Sequence, residues 1–137
     1  MNLEYNEEQS QAFASKRQAR KSIIDCLVKA IENHNAKTIL DFGCGTGNYI
    51  AEICSRVNNI RLIGVDPSES MLKFAREKNS DSAILKGDHR CIPLENNTVD
   101  MIFVLNVIHH VNDIEKMFTE FYRILKQAGS IYIHRIS

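Results

Sequence analysis

Neither sign of charge dominates this chain. Its 137 residues carry seventeen Lys and Arg against seventeen Asp and Glu, for a formal net charge of zero. No global field therefore draws it to nucleic acid or to an anionic membrane. A local basic cluster, Lys16, Arg17, Arg20 and Lys21, stands close to Glu4, Glu7 and Glu8 and reads as a solvated helix face. Long apolar runs are also missing: Met101 to Leu105 is the longest, far short of the roughly 20 residues of a membrane span. The polar, acidic start (MNLEYNEEQS) has no signal-peptide core. Cys26, Cys44, Cys54 and Cys91 show neither C-x-x-C pairing nor zinc spacing, and His34, His89 and His134 are too dispersed for a metal site. No metal and no disulfide framework is expected, and scattered thiols without a leader predict a cytoplasmic protein.

There is no internal repeat, no low-complexity tract and no linker rich in Pro, Gly or Ser. A composition of 44% hydrophobic and 25% charged residues suits one globular domain over 1–137 with a real core. Within it, strand and helix patterns alternate. Ile23, Leu27, Ala30 and Ile31 follow helical spacing, ending near His34 and Asn35. Thr38 to Phe42 reads as a buried strand; Ile50, Ile53, Cys54 and Val57 give the helical stripe behind it. Ile60 to Asp66 reads as a second strand, with Pro67 in the first turn of a helix whose apolar face is Met71, Phe74 and Ala75. Ala83 to Lys86 and Val99 to Leu105 supply strands three and four. Asn112 with Glu115 resembles a capping box, opening a helix with Ile114, Met117, Phe118, Phe121 and Leu125 on one side. Gly129 is expected to end that helix, and Ile131 to Ile136 to form a fifth strand. Such alternation implies a doubly wound α/β domain, with a mostly parallel sheet of about five strands and helices on both faces. Its ligands bind at the carboxyl ends of the strands, near the switch in strand order.

Glycine is scarce, and three of the six sit within five residues, in Ile39-Leu40-Asp41-Phe42-Gly43-Cys44-Gly45-Thr46-Gly47-Asn48. They follow the first strand, where the switch-point rule puts a ligand. A dinucleotide fold would show G-x-G-x-x-G. Here Asn48 occupies the place of the third Gly, which argues against a nicotinamide cofactor. Asp66 ends the second strand, nineteen residues after Gly47. Its carboxylate either accepts hydrogen bonds from both hydroxyls of a ribose or caps the helix beginning at Pro67. Gly87-Asp88-His89 follows the third strand on the same edge, where Asp88 suits the exocyclic amine of adenine and its neighbours the border of the ring.

With those residues in place, the chain resembles the class I S-adenosylmethionine-dependent methyltransferases. The carried motifs are ILDFGCGTGN, LIGVDPSESML, GD, the IPLENNTVDMIF segment and the helix EFYRILKQAG with its following strand, from about Ile23 to Ile136. The nearest subgroup is similar to the small-molecule enzymes of ubiquinone and menaquinone biosynthesis. The resemblance implies a Rossmann-like fold with S-adenosylmethionine as cofactor. Gly43, Cys44, Gly45 and Gly47 would line its methionine part, and Asp41 would help anchor the amino group. Asp66 would hold the ribose, Pro67 and Met71 would flank the adenine, and Gly87, Asp88 and His89 would surround its amine.

The resemblance also implies a reaction, methyl transfer to a small-molecule acceptor by in-line displacement. Asn106 to His110 would border the methyl group. Val107 and Ile108 stand where enzymes that methylate amino groups of DNA bases have prolines, which argues against a nucleic-acid substrate. His109 or His110 either deprotonates the acceptor or serves packing and solvation. Tyr5 and Phe13 belong to an N-terminal helical segment (1–35) that folds over the cofactor as a lid or simply packs. Members of the family continue past strand five with two more strands. This sequence stops on strand five, as a truncated chain, a dimer that completes its edge, or a non-catalytic binding or regulatory module would.

Overall fold

Short continuous apolar runs and 3.6-period stripes alternate along the chain, and each becomes an element at close to its expected place. The structure is a computed structural model that describes residues 19–105 and 111–134. In order these are α1 (Lys21–His34), β1 (Thr38–Phe42), α2 (Asn48–Cys54), β2 (Arg61–Asp66), α3 (Glu69–Lys78), β3 (Ala83–Lys86), β4 (Val99–Leu105), α4 (Ile114–Ile124) and β5 (Leu125–His134).

The five strands form one sheet in the order β3-β2-β1-β4-β5, with every ladder parallel. The chain winds outward from β1 through β2 to β3, then returns to place β4 on the other side of β1. Strand order therefore reverses between β1 and β4, where Phe42 stands opposite Val65 on one side and Val104 on the other. Buried on both faces, β1 and β4 have the near-continuous apolar character of central parallel strands.

Two separate cores flank the sheet. On one face Ile23, Ile24, Leu27 and Ile31 of α1, Ile50 and Ile53 of α2, and Leu72 and Ala75 of α3 pack on Ile39, Leu62 and Phe103. On the other, Met117, Phe121 and Ile124 of α4 pack on Leu40, Phe42, Ile63, Ile102 and Val104. Phe121 meets Phe42 edge to face with ring centroids 5.1 Å apart. Each such fully buried side chain contributes about 1.5–3 kcal/mol relative to exposure, so the alternation along β1 commits both faces at once. Asn35, in the left-handed region at φ 50°, ends α1 where expected.

Several local expectations are corrected. Pro67 precedes α3 rather than entering its first turn: Ser68 is the N-cap, its hydroxyl accepting from the Met71 N–H. The cap of α4 is Asp113, one residue after Asn112, because its carboxylate takes the Lys116 N–H at 3.0 Å. Glu115 then lies in the first turn with no reciprocal role. α2 is only seven residues long, so Val57 falls beyond it and Cys54 is exposed. α4 ends at Ile124, and Gly129 sits inside β5 where the register against β4 shifts. Glycine is needed there for close approach: a Cβ would come within 2.7 Å of Leu125 and 3.2 Å of the Asp100 carbonyl. The positive φ of that stretch falls on Ala128 instead. Residues 135–136 of the expected fifth strand lie outside the described residues, as do Lys16 and Arg17; Arg20 and Lys21 are exposed.

Candidate functional site

At the end of β1 the chain turns through three glycines with φ of 76° at Gly43, 56° at Gly45 and 79° at Gly47. These values strain any residue with a Cβ, which explains the alternate spacing. The turn is pinned from outside: Gly43 and Cys44 both donate to the Val65 carbonyl of β2, at 2.7 and 3.1 Å. Gly47 is the N-cap of α2 and accepts from the Ala51 N–H. A Cβ at Gly45 would meet nothing within 4 Å. The middle of the turn thus presents bare backbone to open space, the form a ligand-approaching bend requires. Gly64, in the middle of β2, makes room beneath: a Cβ there would lie 2.8 Å from both Cys44 Sγ and Ile50 Cδ1.

Two carboxyl groups stand at this edge. Asp66, 8% exposed, closes β2 and accepts from two main-chain donors, Gly45 N–H on Oδ2 and Ser68 N–H on Oδ1, each at 2.9 Å. It joins the glycine turn to the start of α3, which the sequence did not reveal. Asp41, one residue before the end of β1, is 3% exposed and has no hydrogen-bond partner among the described residues. Burial, then repulsion from Asp66, raises its carboxyl from 3.8 to about 7. Such an environment favours a cation beside it. Burial foremost also pushes the Cys44 thiol well above its ordinary value, with both carboxylates adding to it, which disfavours the thiolate.

Beyond β3, Gly87 donates to the Asp66 carbonyl at 3.2 Å, bringing Gly87-Asp88-His89 beside the end of β2. Asp88 is not idle. Its carboxylate accepts from the Arg90 N–H at 2.9 Å and from the guanidinium at 3.1 and 2.6 Å, which holds its pKa below the ordinary carboxylate value. His89 is 2% exposed, and its Nε2 has no hydrogen-bond partner among the described residues. The segment that follows is clamped to α4. Glu120 accepts from the Ile92 N–H at 2.8 Å, and Arg123 joins it while donating to the Ile92 and Leu94 carbonyls at 2.9 and 2.7 Å. This half-buried ion pair had no distinctive spacing in the sequence beyond i,i+3.

Pro67 is half-buried directly after Asp66, while Met71 is buried yet belongs to neither core cluster. Asp41, Gly43, Cys44, Gly45, Gly47, Asp66, Pro67, Met71, Gly87, Asp88 and His89 therefore gather at the carboxyl ends of β1, β2 and β3 and the start of α3. Asn106, His109 and His110 lie outside the described residues, as do Tyr5 and Phe13 of the expected lid. No group of three metal-binding side chains occurs among the described residues. No helix among them is long and apolar enough to cross a membrane.

Comparison with known proteins agrees with this architecture. The profile of the methyltransferase-domain family matches residues 40–133. The malonyl-[acyl-carrier protein] O-methyltransferase of Yersinia pestis is 32% identical over 105 residues, covering 77% of this chain and 39% of that protein. A ubiquinone/menaquinone biosynthesis C-methyltransferase of Campylobacter jejuni is 30% identical over 100 residues, covering 69% and 43%. The chain thus spans less than half the length of these two relatives. Among solved structures, a SAM-dependent methyltransferase from Aquifex aeolicus superposes with a TM-score of 0.64 at 27% identity, over 80% of this chain and 69% of the other. A Methanococcus maripaludis protein reaches 0.77 at 22% identity over 93% and 63%, a likeness of fold alone. By its profile match and the glycine turn at the head of a parallel sheet, the chain belongs to the class I methyltransferase-domain family, whose cofactor is S-adenosylmethionine.

Proposed function

We propose that this chain binds S-adenosylmethionine at the carboxyl edge of β1, β2 and β3 and transfers its methyl group to a small-molecule acceptor. The observation that carries the reading is the pairing of Asp41 with the open middle of the glycine turn. A carboxyl 3% exposed, without a partner among the described residues, suits the primary ammonium of an amino-acid tail lying along that turn. Such a cation restores the ionised form that burial opposes. Asp66, already fixed by Gly45 and Ser68, has its orientation set before any ribose hydroxyl arrives. Gly43 to Gly47 line the methionine part, Pro67 and Met71 flank the base, and Gly87, Asp88 and His89 border its amine. In this reading Asp88 shares its carboxylate between Arg90 and that amine.

When bound, the sulfonium supplies an activated methyl group. The residues of this chain then have little bond-making to do. They hold donor and acceptor in line and keep water out, and orientation of this kind is worth roughly 7–11 kcal/mol. Asn106, His109 and His110 lie outside the described residues; in this reading Asn106 belongs to the donor site and His109 or His110 takes up a proton from the acceptor where one must leave. The two relatives, a malonyl-[acyl-carrier protein] O-methyltransferase and a ubiquinone/menaquinone biosynthesis C-methyltransferase, support an oxygen or carbon acceptor on a small molecule or a carrier-borne acyl group. Any lid is left to residues 1–18, which lie outside the described residues, because α1 itself packs on the sheet; in this reading one domain spans 1–137 and the protein works in the cytoplasm. The open edge of β5, with Ile133 46% exposed, supports a homodimer across it. Light scattering tests that point: a monomer mass at high concentration overturns it.

Titration calorimetry with S-adenosylhomocysteine and with NADH tests the main reading. Binding of the first and not the second is expected; the reverse refutes it. Radiolabelled methyl transfer to a panel of hydroxyl, amine and activated-carbon acceptors then identifies the reaction.

A further inference from the structure

Asn79 carries a carboxamide at the end of α3 opposite Asp66, and it reaches the glycine turn from there. It is 7% exposed and forms the C-cap of that helix. Its Nδ2 donates to the Gly47 carbonyl at 3.0 Å and to the Ala75 carbonyl at 3.1 Å. Both amide protons are thereby committed to main-chain oxygens, one on the helix and one on the glycine turn. The approach is close enough that a Cβ on Gly47 would lie 2.4 Å from this nitrogen and 3.2 Å from Ala75 Cα. Gly47 therefore serves two needs, a left-handed backbone and room for Asn79.

At the other end of α3, the Ser68 N–H donates to Asp66 Oδ1 while the Gly45 N–H donates to Oδ2. These bonds close a circuit through the fold. It runs from Gly45 to Asp66, from Asp66 to Ser68, along the roughly 15 Å of α3, from Asn79 to Gly47, and back through Thr46. One helix grips the turn at both ends. A segment with three glycines has more backbone freedom to lose than any other of its length, so what fixes it beforehand reduces the ordering that binding must accomplish.

We propose that Asn79 is a positioning residue for the donor site, holding the Gly45–Gly47 backbone in the shape on which the amino-acid tail of the donor lies. The proposal rests on the donor-site reading above. Asn79 acts through Gly47 and touches no ligand, so its effect is read in donor affinity.

The test is titration of S-adenosylhomocysteine into the wild type, Asn79→Ala and Asn79→Asp, each well below its melting midpoint. Loss of the bond to Gly47 in Asn79→Ala weakens affinity roughly ten-fold. Asn79→Asp weakens it further, because a carboxylate of the same size cannot donate and faces the Gly47 carbonyl with like polarity. A role in packing alone predicts the opposite order, with the isosteric Asp tolerated better than Ala. Should Asn79→Ala not fold, Asn79→Ser, which keeps a hydroxyl donor in a smaller volume, replaces it and binds more tightly than Asn79→Asp. Unchanged affinity in these variants despite lowered melting, or Asp better tolerated than Ala or Ser, overturns the proposal. A wild type that binds no S-adenosylhomocysteine overturns instead the donor-site reading on which it rests.

Discussion

Replacing Asp41 by Asn separates what this carboxyl costs the fold from what it does for a ligand. Its pKa stands at about 7 instead of 3.8, chiefly through burial and secondly through Asp66. The folded protein therefore holds the proton more tightly than the unfolded chain, which begins to ionise near pH 4. Stability falls as pH rises from there and levels off above the folded value. At 1.36 kcal/mol per decade, the full penalty is about 4 kcal/mol, of which about 2–3 kcal/mol develops between pH 5 and pH 8. The carboxamide of Asp41→Asn cannot ionise, so the variant escapes that loss, though burying an amide without partners returns about 1–3 kcal/mol of it. For a chain of this size 1 kcal/mol corresponds to about 3–4 °C in melting midpoint. Scanning calorimetry across pH 5 to 8 should then show the variant gaining on the wild type by roughly 6–12 °C. Titrations remote from Asp41 are common to both proteins and cancel in the difference; those of Asp66 and Cys44, which are coupled to it, remain as a smaller contribution. The same variant binds S-adenosylhomocysteine more weakly. Parallel melting profiles across that range would refute the assignment of a buried carboxyl with a raised pKa at Asp41.

Three further outcomes follow from the geometry. Gly47→Ala forces a left-handed Ala against Asn79 and Ala75, and chemical denaturation should show it less stable by about 2–4 kcal/mol. Arg123→Ala strips the cationic partner from Glu120 and leaves it the Ile92 N–H; with the Arg123 side chain itself 31% exposed, a loss of about 1–3 kcal/mol is expected in urea unfolding, and Arg123→Lys should recover only part of it. Iodoacetamide on the native protein at pH 7.5 should label the exposed Cys26, Cys54 and Cys91 well before the buried Cys44, as peptide mass mapping would show.

Much of this fold is legible in the sequence because a parallel sheet buried on both faces demands near-continuous apolar strands, and Thr38–Phe42, Arg61–Asp66 and Val99–Leu105 obey that demand. The glycines were readable for the same kind of reason, since only positive φ forces them onto alternate positions. Element ends were less readable where two neighbours can do one job. Asn112 and Asp113 both suit a cap, and only the reach of Asp113 to the Lys116 N–H decides between them. Gly129 looked like a helix stop, yet it sits in the irregular stretch of β5, where a Cβ would crowd Leu125 and the Lys126 carbonyl of its own strand and the Asp100 carbonyl of β4. The site residues drawn together at Asp41, Asp66 and Asp88 sit at strand ends and could be placed by topology. Asn79, Glu120 and Arg123 could not: their partners are main-chain atoms 28 to 32 residues away, contacts that no short-range pattern encodes.

Donor affinity measured before and after removing one carboxylate is the most direct examination of the proposed site. Calorimetric titration of S-adenosylhomocysteine into the wild type and into Asp66→Ala should show binding reduced at least roughly 100-fold in the variant, since a carboxylate that both grips the ribose and fixes Gly45 is lost. Equal affinity in the two proteins would contradict the assignment of the carboxyl edge of β1 and β2 as the place where the donor is held.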